Sequence, residues 1–476
     1  MHEYEQTLRF GGGGGDTFIN PIGLVLLISA LILILVLPRR HILTPFLIVS
    51  LLIPMGQRIV IGGLHLYVLR ILILFGWIRV LASGWLGDYT RSRIDTAIAL
   101  WALADTVAFV LLWGEWDAFI NRMGFVCNVI GLYFLFRILY RTPKDIDRTI
   151  RVLATICCVL GICMINEKIT GRNLFWVLGG VPEFTAIREG SLRAQGPFAH
   201  PILAGTFAAM FLPLFIGLWW RERKDRWVAL LGVTAAITGV VASASSTPIM
   251  TAVAGIIGLC FWPLRRNMRV FRWSLVLVLT GLHIVMKAPV WALIARVDII
   301  GGSSGYHRYE LVNQFILHFS QWWLVGVKYT SDWGYFMHDV SNQFVGAGTE
   351  GGLAGFVLFL WIITCCFQAL GNARKARLSD SDSEKRVWSL GAVLFACIAS
   401  FFGTSFFDQT IVAWYALLAM IAAVTVPATR AQQATAQKSR NHEIDWHEVA
   451  VSRDPIETAS RIAASSAGNC NREVRT

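Results

Sequence analysis

The side chains with most to offer a reaction are a set of arginines and one histidine lying between long apolar runs. Arg172, Arg188 and Arg193 fall within 167–199, Arg296 and Arg308 within 288–342, and His338 closes the second stretch ahead of Asp339, Asn342 and Glu350. A guanidinium offers phosphate or carboxylate a planar, doubly hydrogen-bonding edge and stays charged at any physiological pH, so arginines gathered on one side suggest an anionic ligand. An imidazole beside such a ligand can take or give a proton at neutral pH. Function is therefore expected in the stretch from Lys287 to Leu360, which carries GGSSGYHRYELVNQF and MHDVSNQFVGAGTEGGLAG and runs into the apolar FVLFLWII. A plainer role stands beside it: contact with lipid headgroups, or local pairs such as Arg188 with Glu189.

These residues need a scaffold, and composition says which kind. Of 476 residues, 55% are hydrophobic and only 15% charged, well below the charged share of soluble domains. The chain reads as an all-α polytopic membrane protein of about 12–13 transmembrane helices with a large outer loop carrying an amphipathic helix. Apolar runs place spans at about 19–37, 42–56, 64–82, 94–114, 119–139, 148–166, 200–219, 227–243, 247–263, 270–287, 343–368, 387–404 and 410–427. Lys and Arg cluster in every second connection: Arg39 and Arg40, Arg91 and Arg93, Arg137 to Arg151, Arg221 to Arg226, Arg265 to Arg272, and Arg374 to Arg386. The positive-inside rule makes those connections cytoplasmic. The net charge of +12 thus reads as orientation in the bilayer, and no nucleic-acid partner is expected. Residues 1–18, with GGGGG at 11–15, read as a flexible non-cytoplasmic leader, 19–428 as the membrane body and 429–476 as a disordered cytoplasmic tail. The arginines of 167–199 and 288–342 then stand on the side the rule disfavours, which is what singles them out.

Local patterns refine the expected site. From Tyr306 to Trp323 the periodicity predicts an amphipathic helix, with Val312, Phe315, Ile316, Phe319 and Trp323 on one side and His307, Glu310, Gln314 and Gln321 mostly on the other. Such a helix should lie flat on the outer interface. Arg308, four residues before Val312, joins the apolar side and points toward the membrane body, where it needs an anionic partner. The run LRAQGPFAHPILAGTFAAMFLPL at 192–214 predicts a polar turn holding Arg193, then a helix opening outward near His200 and Pro201. With a helix beginning near 338, His338, Asn342, Val345 and Thr349 would share a face, and Asp339 or Asn342 would orient the ring.

Other patterns give way to their context. Asp380-Ser381-Asp382 resembles a metal-nucleotide motif but sits in a short cytoplasmic connection and reads as a solvated turn. GGSSG at 301–305 lacks the preceding strand of a serine-hydrolase elbow and reads as a hinge. Most of the nine cysteines lie in apolar runs as small hydrophobes, with neither a disulfide framework nor a metal site implied. Asp105 and Arg70, at comparable depth in neighbouring spans, are expected to pair structurally rather than form a transport relay.

In order, spacing and side, LRAQGPFAHPILAG, HRYELVNQF with Arg308, WWLVGVKY at 322–329 and HDVSNQFVGAGTEGGLAG resemble the O-antigen ligase and polymerase superfamily of bacterial envelope glycosyltransferases. The likeness runs from about 190 to 365. Where that family has His-Asn before Glu-x-Gly-x-x-Gly, this chain has Ser341-Asn342, with His338 three residues earlier. The resemblance implies a multi-pass enzyme of the bacterial inner membrane with a large periplasmic loop and a site facing the periplasm. Such an enzyme moves a glycan from undecaprenyl diphosphate to an acceptor hydroxyl without metal, nucleotide sugar or other cofactor. His338 would serve as base or orient the acceptor. Arg193 and Arg308, with Arg188, would hold the diphosphate, and Asp339, Asn342 and Glu350 would support them. Implied partners are the lipid-linked glycan, an acceptor glycan or lipid A core, membrane lipid, and a chain-length regulator or other envelope polysaccharide machinery. The altered His-Asn pair tilts the reading toward polymerisation of O-antigen or exopolysaccharide repeats over ligation to lipid A core. The rival from another class is a transporter or flippase of a lipid-linked or anionic substrate. It would need repeated halves, Gly- or Pro-broken helices and charges near mid-membrane.

Overall fold

The computed structural model describes residues 17–61, 64–221, 223–296, 304–377 and 380–425. The expected leader up to 16, the expected tail from 429 and most of GGSSG lie outside the described residues, as does the side chain of Arg296.

Each of the thirteen expected spans coincides largely with a helix, except that 64–67 of the third form a strand and 426–427 of the last lie outside the described residues. The helices are α1 (Pro21–Val36), α2 (Leu43–Leu52), α3 (Val68–Ala82), α4 (Arg93–Trp113), α5 (Trp116–Leu139), α6 (Pro143–Thr170), α7 (Pro201–Leu218), α8 (Asp225–Ala242), α9 (Ser246–Cys260) and α10 (Met268–Val285). After α11 (Ser304–Leu317), which is the surface helix, come α12 (Gln343–Lys375), α13 (Ser381–Phe401) and α14 (Gln409–Thr425). Seven of these, α4 to α8 with α10 and α12, are long and apolar enough to cross a membrane; α1, α9 and α14 are shorter apolar helices. The chain is a multi-pass, essentially all-α membrane protein. The second expected span is a helix of only 10 residues, about 15 Å long and so too short to cross hydrocarbon unaided.

Sequence-local chemistry sets the ends. Ser92 with Asp95 and Thr142 with Asp145 form capping boxes that open α4 and α6, and Gly114 and Gly171 close them in the left-handed conformation. Among the described residues the β-structure is two short hairpins, β1 (Arg58–Ile61) with β2 (Leu64–Tyr67) and β3 (Ala186–Arg188) with β4 (Ser191–Arg193). The central α7 is buried along nearly its whole length, with Phe207, Phe211 and Phe215 fully enclosed. Such a helix, apolar on all sides, has protein rather than lipid around it.

Two elements depart from a plain bundle. Inside α12, Gly352 takes φ 62° and ψ −165° and breaks the helix. The phrase WWLVGVKY fills that break: Leu353 N–H donates to the Trp323 carbonyl and Val327 N–H to the Thr349 carbonyl, both at 2.8 Å. A Cβ on Gly352 would stand 2.6 Å from the Leu324 carbonyl oxygen, so only glycine fits. The helix expected over 306–323 breaks at His318, where α11 has ended and a single helical turn, Phe319–Trp322, follows, and the buried face also differs from the expected one. Arg308, Leu311 and Phe315 face inward with Trp322 just beyond, while Ile316, Phe319 and Trp323 stay exposed. Phe315 stacks on Trp322 at 4.0 Å, and the two join Trp333, Met337 and Val345 in a small core that ties the long loop to α12. Leu311, absent from the expected stripe, sits at i+3 from Arg308 and fits the helical period better than Val312.

Candidate active site

The stretches 167–199 and 288–342 deliver one arginine each to the start of α9. Arg193 ends β4, across the hairpin from Ala186, and its side chain runs inward, only 7% exposed. Its Nη2 donates to Ser245 Oγ at 2.7 Å, and its Nε has no hydrogen-bond partner among the described residues. Arg308, 6% exposed in the second turn of α11, donates from Nη2 to Thr247 Oγ1 at 2.9 Å. Thr247 Oγ1 in turn donates to the Gly403 carbonyl at 3.2 Å, and Ser245 Oγ to the Ser243 carbonyl at 2.9 Å. Ser245 is the residue before α9 and Thr247 lies in its first turn, so arginines more than a hundred residues apart converge on five consecutive residues, Ser243 to Thr247. Burial lowers the Arg193 pKa, and the neighbouring charge of Arg188 adds to it; a guanidinium still keeps its proton.

Conspicuous scaffolding holds this turn in place. The Glu167 carboxylate accepts the Gln195 and Gly196 amides at 3.0 and 2.9 Å, shaping the turn after Arg193. The loop between α13 and α14 holds the next few residues: Asp408 accepts the Ala199 amide at 2.8 Å, and Gln409 Nε2 donates to the Pro197 carbonyl at 2.8 Å. The same loop reaches the start of α12, where Ser405 Oγ donates to the Val340 carbonyl at 2.9 Å and Phe406 N–H to Gln343 Oε1 at 2.7 Å. Residues 193–200, 243–247, 308, 340–343 and 403–409 therefore form one connected assembly. Burial raises the Asp408 pKa to about 6 against the opposing pull of the Ala199 and Gln409 amides. His200 is lowered to about 4, first by desolvation and then by the Arg193 charge, with Asp339 opposing and Arg188 adding to the fall.

The remaining expected site residues are placed unequally. Arg188 is exposed on β3, its charge reaching Arg193 and His200. His338 is exposed on the turn ahead of α12, its ring 5.7 Å from that of Phe336. Because 339–342 is not helical and α12 begins at Gln343, the expected helical face shared by His338 with Asn342, Val345 and Thr349 does not form. Asn342 is instead the α12 cap, its Oδ1 accepting the Phe344 and Val345 amides at 2.9 and 3.2 Å, and so does not orient the ring. Asp339 is exposed; its carbonyl lies 3.3 Å from His307 Nε2 while its charge acts on His200.

Glu350 belongs to a different cluster. Arg122 of α5 bridges Asp105 of α4 at 3.0 Å and Glu350 at 2.6 Å, with its guanidinium 3.6 Å from the Phe109 ring centroid. The expected partner of Asp105 was Arg70, which instead donates to the His65 carbonyl at 3.0 Å and lies over Tyr67. Arg172 is occupied locally, 3.7 Å from Glu183 and against Phe184.

Ser245, Thr247, the 403–409 loop, His200 and Arg122 are the parts that residue patterns alone do not single out. A signal existed for the first two, since SASSTP is a hydroxyl-rich run between apolar helices on the same side as the arginines. Arg122, a lone cation near the start of an apolar run, was equally visible. Among the described residues no group of three or more His, Cys, Asp or Glu side chains is placed to hold a metal ion. The arrangement is cationic and rich in hydroxyl donors, suited to an oxyanion. No protein-family model matches the chain, and no curated protein matches it in sequence.

Proposed function

We propose that the chain is a membrane glycosyltransferase that binds a lipid-linked diphosphate at the Arg193–Arg308 assembly and transfers its glycan to an acceptor hydroxyl at the outer, periplasmic face. The observation that carries this reading is the convergence of Arg193 and Arg308 on Ser245 and Thr247. Displacement at an anomeric carbon leaves charge on the departing phosphate, and two guanidiniums fixed in advance stabilise that charge without reorganising. Undecaprenyl diphosphate is the donor implied by the motif resemblance, with polymerisation favoured over ligation to lipid A core. His338, exposed near Asp339, remains the base assigned to the acceptor hydroxyl.

A second reading has its own support. The break at Gly352 beside the Asp105–Arg122–Glu350 cluster is the type of discontinuous, charge-bearing helix that transporters use.

One experiment separates the two. Purified protein is incubated with undecaprenyl diphosphate-linked oligosaccharide and excess chelator, and the products are resolved by size. A ladder from the wild type, lost in Arg193→Ala and Arg308→Ala variants that still insert, is the expected result. Unchanged substrate, with lipid A core also supplied, would leave the transporter reading ahead.

A further inference from the structure

We propose that His200 is a further binding residue of this site, a neutral imidazole whose Nε2–H donates a hydrogen bond to the phosphate held beside Arg193. The proposal rests on the diphosphate reading above.

The helix that follows orients the ring. His200 is the N-cap of α7, and its Nδ1 accepts the Ile202 amide at 3.2 Å. A nitrogen that accepts an N–H presents its lone pair, so the one proton of the neutral ring sits on Nε2. Protonating Nδ1 would set two N–H groups against each other and remove the cap. His200 is therefore a donor at its outer edge that resists becoming a cation. Its backbone is fixed on both sides, by Asp408 on the Ala199 amide and by Pro201 at the first helical position. The ring keeps solvent access, and the charges that act on it are those of Arg193, Asp339 and Arg188. Arg193 is one of the two arginines assigned to the anion, and Asp339 is the carboxylate next to His338.

A neutral donor suits this position. When the glycan leaves, the bond from the anomeric carbon to the phosphate oxygen breaks and its electron pair stays on that oxygen, while the acceptor oxygen bonds to the carbon and yields its proton to the base. The released diphosphate carries one more negative charge than the bound donor. Another cation would hold that product harder, whereas a neutral N–H adds a directed bond that strengthens as charge builds on the phosphate. His200 keeps its proton throughout.

The test is a binding measurement that does not depend on turnover. Farnesyl diphosphate is titrated calorimetrically into the full-length protein in nanodiscs of neutral lipid, for wild type, Arg193→Ala, His200→Asn and His200→Ser. Asn and Ser keep a side-chain acceptor for the Ile202 amide, so the helix stays capped. Loss of binding in Arg193→Ala and weakening by about tenfold in both His200 variants, the size of one charge-assisted hydrogen bond, is expected. Absent binding by wild type, or equal binding by Arg193→Ala, would sink the diphosphate reading and this proposal with it. Binding lost in Arg193→Ala yet unchanged in both His200 variants would overturn the role of His200 alone. Should the variants misfold, diethyl pyrocarbonate modification of His200 in the wild type decides: protection by farnesyl diphosphate is expected, and equal modification with and without it overturns the proposal.

Discussion

A buried cation needs either a fixed partner or a ligand, and Arg193 and Arg122 illustrate the two cases. Arg122 has a carboxylate on each side, whereas Arg193 donates to one hydroxyl, that of Ser245. Beside Arg193, His200 and Asp408 titrate in opposite senses. Asp408 has a folded pKa of about 6 against an ordinary 3.8, so between those values the folded chain binds more protons and stability falls as pH rises. His200 has a folded pKa of about 4 against 6.5, so the unfolded chain binds more protons and stability falls as pH drops through that range. Each contribution is on the order of 1–3 kcal/mol after allowing for partial exposure. In the wild type the two slopes largely cancel. Asp408→Asn, which keeps an acceptor for the Ala199 amide, should gain most over wild type near pH 7.5 and least near pH 4.5. His200→Asn should fare best against wild type at the acid end. Melting curves for both variants across that range should therefore diverge from wild type in opposite directions, and parallel curves would refute the assignment.

At the scale of elements, local chemistry and long-range contact were unequally legible. Apolar runs and capping residues such as Ser92 and Thr142 place the helices, because hydrocarbon length and orphan amides are properties of neighbouring residues. Partners across helices were not readable. Asp105 had two cations at similar depth to choose from, and the choice of Arg122 over Arg70 depends on how α4, α5 and α12 meet. The buried face of α11 was misjudged by one residue because exposed Ile316, Phe319 and Trp323 are as apolar as the buried Phe315 and Trp322, and composition cannot distinguish lipid-facing from core-facing surface. The Arg122 cluster yields a graded prediction. Its Asp105 side chain is 3% exposed and its Glu350 side chain 53%. Removing the cation strands a buried carboxylate, so Arg122→Gln should cost about 3–5 kcal/mol, whereas Glu350→Gln, at the wet end, should cost less than about 1 kcal/mol. Unfolding yields in a denaturant series would rank them, and equal losses would mean that Glu350 is enclosed as deeply as Asp105.

At the scale of the whole molecule, the arginines expected from the sequence to set orientation also brace the helices. At the basic end Asp147 of α6 pairs with Arg221 and Arg386, Asp225 of α8 with Arg151, and Glu384 of α13 with both Arg265 and Arg374. The opposite end carries the Arg193–Arg308 assembly, where the carboxylates of Glu167 and Asp408 accept backbone amides. Among the described residues nothing buries the α10 helix, with Trp273 70% and Val285 83% exposed, an apolar surface suited to lipid. If the basic end is cytoplasmic, the two arginines face the compartment where translocated lipid-linked glycans are consumed. Alkaline phosphatase fused after Glu189 or Asp332 should then be active, and after Arg223 or Arg377 silent. The reverse pattern would place the arginines on the cytoplasmic side, where an outer-face transfer cannot occur, and the orientation and the transfer reading would fall together. Because α7 joins the turn that holds Arg193 to the basic connection after Leu218, one fusion on each side of α7 suffices to fix the side on which Arg193 lies.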